Sequence, residues 1–322
     1  MNKTALVTGG AGYLGSVVSK HLKRQGWRVV CFDIKKPKHK YYDIYEQGDI
    51  RNKGDLDYLF RQVKIDVVFH FAGRIEVGES MEHPSEFWDV NVGGTINIVQ
   101  AMVNNDVNNI IFSSTAGVYK SNGSDTHSNK AFYECSDTTV KNSCYANTKL
   151  ACERLIADSN LNHLIFRYFN LAGADPDGDL GEMHEPETHL IPNILRHPNS
   201  FTVYGNDYLT PDGTCVRDYV HVMDVVDAHV KAVEFLNRTI IGRDIFNLGQ
   251  GKGYSVLEVI GAIEKETNIE VKYTVGDKRY GDPDYLVADI TKAKEILKFD
   301  KFICSTKDKY LLYISSKDGY GC

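Results

Sequence analysis

Residues 8–15 have the sequence Thr8-Gly9-Gly10-Ala11-Gly12-Tyr13-Leu14-Gly15, and they follow directly on the strand-like run Ala5-Leu6-Val7. Glycines at Gly9, Gly12 and Gly15 allow a tight turn, close approach of backbone N–H groups to a pyrophosphate, and close packing of a following helix. This stretch therefore predicts the strand, loop and helix of a dinucleotide-binding unit. The alternative is an ordinary glycine turn without a ligand.

An acidic residue in register with the loop favours the first interpretation. Asp33 directly follows the apolar run Val29-Val30-Cys31-Phe32, which is the second predicted strand. A carboxylate at this place hydrogen-bonds the adenosine ribose and repels a 2′-phosphate. We therefore expect NAD as the cofactor rather than NADP.

Apolar runs alternate with helix-length segments through the first half of the chain. The runs are continuous, as expected for strands of a parallel sheet with helices on both faces. After Leu171 the sequence becomes rich in Gly, Pro and Asp, and Ser255 with Glu258 forms the capping box of one later helix. We predict an α/β fold: a doubly wound parallel sheet (Rossmann) over 1–171, to which later segments return, and a smaller C-terminal α+β substrate lobe over 172–322. The candidate crossover helices span 12–25, 56–62, 87–103 and 145–158.

Composition excludes several functional classes. The content of 42% hydrophobic and 25% charged residues is that of an ordinary globular protein. A net charge of −6 argues against general attraction to nucleic acid. There is no leader pattern before the first strand and no apolar run of membrane-spanning length, so we expect no membrane association and a cytoplasmic location. The seven cysteines are scattered without a Cys-x-x-Cys pair, which favours reduced thiols.

A tyrosine and a lysine spaced by four are candidate catalytic residues. Tyr145 and Lys149 would lie on one face of a helix, so the phenol and the ammonium can address the same ligand. An adjacent ammonium and a cationic nicotinamide both favour the phenolate, which can act as a general base. The run Ser113-Ser114-Thr115 adds hydroxyls at the end of a predicted strand, although they could simply satisfy loop backbone. Chance would explain each motif alone, and their order behind the glycine loop favours one active site.

With these motifs the chain resembles the UDP-glucose/UDP-galactose 4-epimerases of the extended short-chain dehydrogenase/reductase superfamily. The resemblance runs from about Lys3 to about Leu297. Its most specific part is Asp-Gly-Thr-Cys-Val-Arg-Asp-Tyr-Val-His-Val-Met-Asp at 212–224, which distinguishes these epimerases from most sugar-nucleotide relatives. Supporting stretches lie at 48–52, 70–73, 77–80, 167–170 and 204–207.

The resemblance implies a role for each matching residue. Tyr145 would be the catalytic base, Lys149 would hold the nicotinamide ribose and tune Tyr145, and Thr115 would be the catalytic Ser/Thr. Arginines suit a diphosphate because their planar donors bind its oxygens in pairs. Besides Lys149 and the three loop glycines, the implied cofactor-binding residues are Tyr13, Leu14, Asp33, Asp49, Ile50, Phe71, Ala72, Gly73 and Phe169. Besides Thr115 and Tyr145, the implied UDP-sugar-binding residues are Asn170, His189, Leu190, Thr202, Val203, Tyr204, Arg217, Arg279, Asp282 and Leu286.

The implied reaction is the interconversion of UDP-galactose and UDP-glucose through a 4-keto sugar, with NAD tightly bound and regenerated. An epimerase of another UDP-sugar, a UDP-N-acetylhexosamine or a UDP-pentose, is the nearest alternative. A nucleotide-sugar dehydratase typically has an Asp-Glu pair after the strand threonine, where this chain has Ala116 and Gly117. A non-catalytic NAD-binding protein would not need Thr115, Tyr145 and Lys149 together.

Two further expectations concern partners and metals. The resemblance implies a homodimer that pairs the helices at 87–103 and 145–158. No metal is expected, because the cluster of Glu and His residues near 182–189 shows no helical ligand spacing. Its members are Glu182, His184, Glu185, Glu187 and His189.

Overall fold

The structure is a computed structural model of the 322-residue chain. It describes residues 3–120, 131–138, 143–182, 184, 187–238, 242–279 and 282–300. Glu185 and the tail after Asp300 lie outside the described residues.

The strands are β1 (Thr4–Thr8), β2 (Arg28–Asp33), β3 (Ile44–Gln47), β4 (Val67–His70), β5 (Asn109–Thr115), β6 (Asn162–Tyr168), β7 (Asn170–Ala172), β8 (Phe201–Tyr204), β9 (Val216–His221), β10 (Arg243–Leu248), β11 (Gly253–Ser255), β12 (Tyr273–Gly276) and β13 (Tyr285–Leu286). The α-helices are α1 (Tyr13–Arg24), α2 (Lys53–Gln62), α3 (Val77–Glu82), α4 (Pro84–Phe87), α5 (Gly94–Asn104), α6 (Cys144–Asp158), α7 (Leu190–Arg196), α8 (Val222–Arg238), α9 (Val256–Thr267) and α10 (Thr291–Leu297).

The chain divides into two compact units, each built from separate segments. The first unit consists of Met1–Val118, Ser143–Arg167 and Val226–Phe246. The second consists of Tyr119–Asn142, Tyr168–Val225 and Asn247–Cys322. Segments 143–167 and 226–246 thus return to the unit that begins at the N-terminus.

A seven-stranded parallel sheet with the order β10-β6-β5-β4-β1-β2-β3 organises the first unit. The chain passes from β1 outward to β3 and then crosses to β4 on the other side of β1. The strand order therefore reverses between β1 and β4, where doubly wound sheets bind ligands. Every residue of β1 and of β4 is buried. This burial, on a sheet flanked by helices, confirms the predicted doubly wound Rossmann fold.

The predicted helix at 87–103 is interrupted in the structure. After α4 ends at Phe87, the chain forms a π-helical turn over Trp88–Gly93 before α5 begins. The turn carries Asn91, whose buried amide donates hydrogen bonds to Arg74 O at 3.1 Å and to Thr148 Oγ1 at 2.9 Å. Wide turns of this kind frequently occur at functional sites.

The second unit is an α+β structure. Its four-stranded sheet is built around β9, which pairs antiparallel with β11 and parallel with β7 and β13. Strands β8 and β12 form a separate parallel pair. The capping box is confirmed: Ser255 Oγ accepts from Glu258 N at 3.0 Å, and Glu258 Oε2 accepts from Ser255 N at 3.0 Å. Among the described residues, none of the helices combines the length and the apolar composition that crossing a bilayer requires.

Candidate active site

The glycine loop between β1 and α1 has no room for side chains at two positions. Gly9 has φ +70°, and a Cβ there would lie 2.6 Å from Ala72 N. A Cβ on Gly15 would lie 2.2 Å from Gly9 O. Since α1 begins directly after Gly12, its first N–H groups lie beside this compact loop, which is the arrangement that binds a pyrophosphate. The loop therefore fits a dinucleotide, and α1 opens with the predicted cofactor positions Tyr13 and Leu14.

Asp33 is fixed beside the same loop. It ends β2, and its Oδ2 accepts a hydrogen bond from Ala11 N at 3.0 Å. Its Oδ1 accepts from Lys35 N at 2.9 Å. The carboxylate expected to bind a ribose is therefore held next to the loop expected to bind the pyrophosphate.

Other predicted cofactor positions follow neighbouring strands of the same sheet. Phe71, Ala72 and Gly73 come directly after β4, and Phe71 N donates to Thr8 O at 3.1 Å. Asp49 and Ile50 follow β3. The guanidinium of Arg51, with its Nη2 2.6 Å from Asp49 Oδ2, holds the pKa of Asp49 below its usual value. Because carboxyl ends of parallel strands share one sheet edge, these positions lie along the same edge as the loop.

Phe169, the last predicted cofactor position, lies in the second unit, where its N–H donates to Leu248 O at 3.1 Å.

The three predicted catalytic residues meet at the end of β5. Thr115 is the last residue of β5, and its hydroxyl is hydrogen-bonded with the Tyr145 side chain in the first turn of α6. Lys149, one turn later, donates from Nζ to Ser113 O at 2.8 Å. Its Nζ lies 6.0 Å from the centroid of the Tyr145 ring. The structure therefore brings the hydroxyl, phenol and ammonium into one site.

Burial changes the pKa values of both ionisable members of this set. It raises the pKa of Tyr145 to about 12, although the hydrogen bond with Thr115 acts in the opposite direction. It lowers the pKa of Lys149 to about 8, against the effects of Cys152 and Glu153. In the protein alone the phenol is thus protonated near neutral pH. Lys149 alone therefore does not ionise the Tyr145 phenol near neutral pH. The cationic ring of NAD⁺ is the natural source of the additional positive charge that this ionisation requires.

A buried ion pair behind Lys149 was not predicted from the sequence. Glu153 lies one turn after Lys149 on α6, and its carboxylate accepts from Arg167 Nε at 3.0 Å and from Arg167 Nη2 at 2.6 Å. The Ser114 hydroxyl also donates to Glu153. Ser80 is another residue of the site that the sequence did not predict. Its Oγ accepts a hydrogen bond from Tyr145 N at 3.1 Å. The only sequence signal was the spacing of Lys149 and Glu153, since Arg167 and Ser80 are remote in the chain.

One group of predicted UDP-sugar positions surrounds Arg217 in the second unit. Arg217 is buried, donates from Nη1 to Pro283 O at 2.8 Å, and pairs through Nη2 with Asp282 Oδ1 at 3.1 Å. Leu286 is its register partner across β13 and β9. Asn170 is placed on the same sheet, opposite Tyr219 in the pairing of β7 with β9.

A second group lies on β8, which carries Thr202, Val203 and Tyr204. The Arg279 guanidinium lies over the Tyr204 ring at 4.2 Å from its centroid. Arg279 thus lies over an aromatic face in a cation–π contact.

The remaining two positions, His189 and Leu190, stand at the start of α7. His189 Nδ1 lies 2.9 Å from Glu187 Oε1 and 3.0 Å from Glu182 Oε1. Burial raises the pKa of Glu187, but hydrogen bonds from His189 outweigh it and the pKa lies below its usual value. His189 therefore contacts acidic side chains that the sequence did not connect with substrate.

A glycine-loop dinucleotide cradle and a Thr, Tyr and Lys set on one doubly wound sheet define a nucleotide-dependent enzyme of the short-chain dehydrogenase/reductase type. The sequence profile of the NAD dependent epimerase/dehydratase family matches residues 5–249. This chain belongs to that family.

Within this family, the chain is similar to proteins named UDP-glucose 4-epimerase. A UDP-glucose 4-epimerase of Lactobacillus helveticus is 41% identical over 309 residues, covering 91% of this chain and 90% of its own. A UDP-glucose 4-epimerase from Brucella ovis, solved in complex with NAD, has a TM-score of 0.88 at 37% identity, with 97% of each chain covered. An enzyme of the same name from Bifidobacterium longum, solved with NAD⁺ and UDP, has a TM-score of 0.87 at 32% identity, covering 97% of this chain and 96% of its own.

Proposed function

We propose that this protein interconverts UDP-galactose and UDP-glucose, using tightly bound NAD. The observation that carries the proposal is the meeting of Thr115, Tyr145 and Lys149 at the end of β5, on the sheet that also holds the glycine loop and Asp33. The similarity to UDP-glucose 4-epimerases over nine-tenths of the chain supports the same activity.

The chemistry assigned to the protein is acid–base catalysis. When bound, NAD⁺ accepts the hydride from carbon 4 of the hexose and returns it. Tyr145 removes the proton of the 4-hydroxyl as the 4-keto sugar forms, and gives a proton back when the opposite face of the sugar is reduced. Thr115 orients the phenol through their hydrogen bond, and Lys149 holds the nicotinamide ribose.

The second unit is assigned to UDP-sugar binding. Arg217 and Arg279 would bind the diphosphate, since guanidinium donors match its oxygens. The Arg217 guanidinium is already oriented by Pro283 O and Asp282, so little side-chain freedom would be lost on binding. Leu286, its register partner, would border the sugar.

Another UDP-sugar substrate is the second candidate, and Leu286 is the residue that keeps it open. A large wall residue would exclude an N-acetyl group and a small one would admit it, whereas leucine is intermediate. One similar protein has been solved with a different UDP-sugar bound. This Stenotrophomonas maltophila UDP-glucose-4-epimerase, 35% identical with a TM-score of 0.87 and 97% of each chain covered, was solved with formylated UDP-arabinopyranose.

The test is an NMR time course of UDP-galactose with the purified protein and no added cofactor. We expect UDP-glucose to form until equilibrium while the NAD released on denaturation stays near one equivalent per chain. Thr115→Val is the matched variant, because it keeps the side-chain volume and removes the hydroxyl. Dependence on added NADPH, or accumulation of free NADH, would contradict an epimerase. Turnover of only an N-acetylated or pentose substrate would select the second candidate.

We also propose a homodimer. Trp88, Ile96 and Val103, on the π-helical turn and α5, are 44%, 46% and 51% exposed. Large apolar side chains exposed together on neighbouring helices are typical of a protein interface. Pairing of this region with the same region of a second copy would cover these side chains. The cytoplasmic location is likewise a prediction.

A further inference from the structure

Four side chains in the second unit form a compact cluster of metal-ligand types. Glu182, His184, Glu187 and His189 bring one ligand atom each within 4.8 Å of all the others. The sequence predicts no metal here because the residues lack helical spacing. In the structure these four residues, which precede Leu190 at the start of α7, nevertheless lie close together.

Three separations within the cluster are close to those of a four-coordinate zinc site. His189 Nδ1 lies 2.9 Å from Glu187 Oε1 and 3.0 Å from Glu182 Oε1, and His184 Nδ1 lies 3.4 Å from Glu182 Oε1. Four ligands about 2.0–2.1 Å from a tetrahedral Zn²⁺ are roughly 3.4 Å apart. The three distances given are near this value, and all four ligand atoms lie within 4.8 Å of one another.

The electrostatics of the cluster also favour a cation. The side chains of Glu182 and Glu187 are only 8% and 3% exposed. Glu187 Oε2 is buried and accepts no hydrogen bond from the described residues, with the guanidinium of Arg196 at 3.7 Å. With both imidazoles neutral, as metal ligation requires, the two buried carboxylates face one guanidinium, and a bound cation would offset the remaining negative charge.

We propose that Glu182, His184, Glu187 and His189 bind one Zn²⁺ ion. Two imidazoles with two carboxylates suit Zn²⁺, whereas Ca²⁺ and Mg²⁺ prefer oxygen ligands throughout. The ion would hold the four ligand residues together ahead of α7, and it takes no part in hydride or proton transfer. Because His189 is also a predicted UDP-sugar position, the test measures metal binding and the unfolding temperature rather than turnover.

The experiment measures metal binding directly. The NAD-loaded full chain is treated with a chelator, desalted and titrated with Co²⁺, followed by competition with Zn²⁺. We expect one equivalent of Co²⁺ to produce the intense visible bands of tetrahedral coordination, and Zn²⁺ to abolish them. Zn²⁺ should also raise the thermal unfolding temperature of the parent protein.

The variants compare a ligand with a nearby exposed histidine. His184→Gln should weaken Co²⁺ binding at least ~10-fold and remove the Zn²⁺-dependent thermal shift. His197→Gln, which changes an exposed histidine at the end of α7, should leave both unchanged. Glu182→Gln provides a second ligand variant, with circular dichroism as the check on folding. Absence of tetrahedral bands in the parent, or equal Co²⁺ affinity in parent and both ligand variants, would overturn the proposal.

Discussion

Replacing Glu153 by glutamine should strongly destabilise the first unit. The Glu153 and Arg167 side chains are each 4% exposed and joined by two hydrogen bonds, at 3.0 and 2.6 Å. Glutamine keeps the shape but removes the charge, so the Arg167 guanidinium would be buried without its counter-ion. Removing one partner of a buried pair costs ~3–5 kcal/mol. That is a large part of the ~5–15 kcal/mol by which folded proteins are stable.

The same chain offers a matched surface control. Glu234 and Arg238 on α8 also form an ion pair, at 3.2 Å, but their side chains are 59% and 79% exposed. Exposed helix pairs of this spacing contribute only ~0.3–0.5 kcal/mol. Glu234→Gln should therefore change stability about tenfold less than Glu153→Gln.

Urea unfolding at a fixed NAD concentration measures both variants, because bound cofactor would otherwise shift the midpoint. A second readout follows from Lys149: burial lowers its pKa to about 8, and the charge of Glu153 acts against that lowering. Without that charge the lysine pKa should fall below about 8, and the corresponding limb of the pH–rate profile should move to lower pH. Equal midpoints for Glu153→Gln and Glu234→Gln would refute the reasoning.

Five further outcomes are expected. Tyr145→Phe should lower turnover ~10²–10⁴-fold with NAD content unchanged, and near-normal turnover would reassign the base. Gly15→Val should purify without NAD, because a Cβ there would lie 2.2 Å from Gly9 O; a full complement of NAD, quantified after denaturation, would contradict this. The parent should prefer UDP-glucose and UDP-galactose over their N-acetyl forms by roughly 5- to 150-fold, since overpacking a fixed wall costs ~1–3 kcal/mol. Leu286→Ser should reduce that preference. An unchanged ratio of specificity constants would show that Leu286 does not line the sugar pocket. Ile96→Glu should convert the dimer to a monomer in light scattering, whereas an unaltered mass would place the interface elsewhere.

Local sequence determined the elements on which the fold depends. The glycine loop, Asp33 at the end of β2 and the Ser255–Glu258 capping box all occur where they were predicted, because each depends on a few consecutive residues. The continuous apolar runs predicted a parallel sheet for the same kind of reason: strands covered on both faces exclude polar side chains wherever they lie in the chain. The resemblance to the epimerase family likewise followed from short motifs.

Tertiary structure alone decided which distant side chains meet. Arg167 pairs with Glu153 because β6 and α6 pack together, and no local pattern records that contact. At Asn91 helical periodicity predicted a continuous helix, whereas the structure has a π-helical turn in which the Asn91 amide bonds to Arg74 and Thr148. Glu182 and His189 are in contact although no local sequence pattern relates them. Sequence fixes secondary structure through short-range preferences, but the charge, burial and pKa of a site depend on contacts that exist only once the chain is packed.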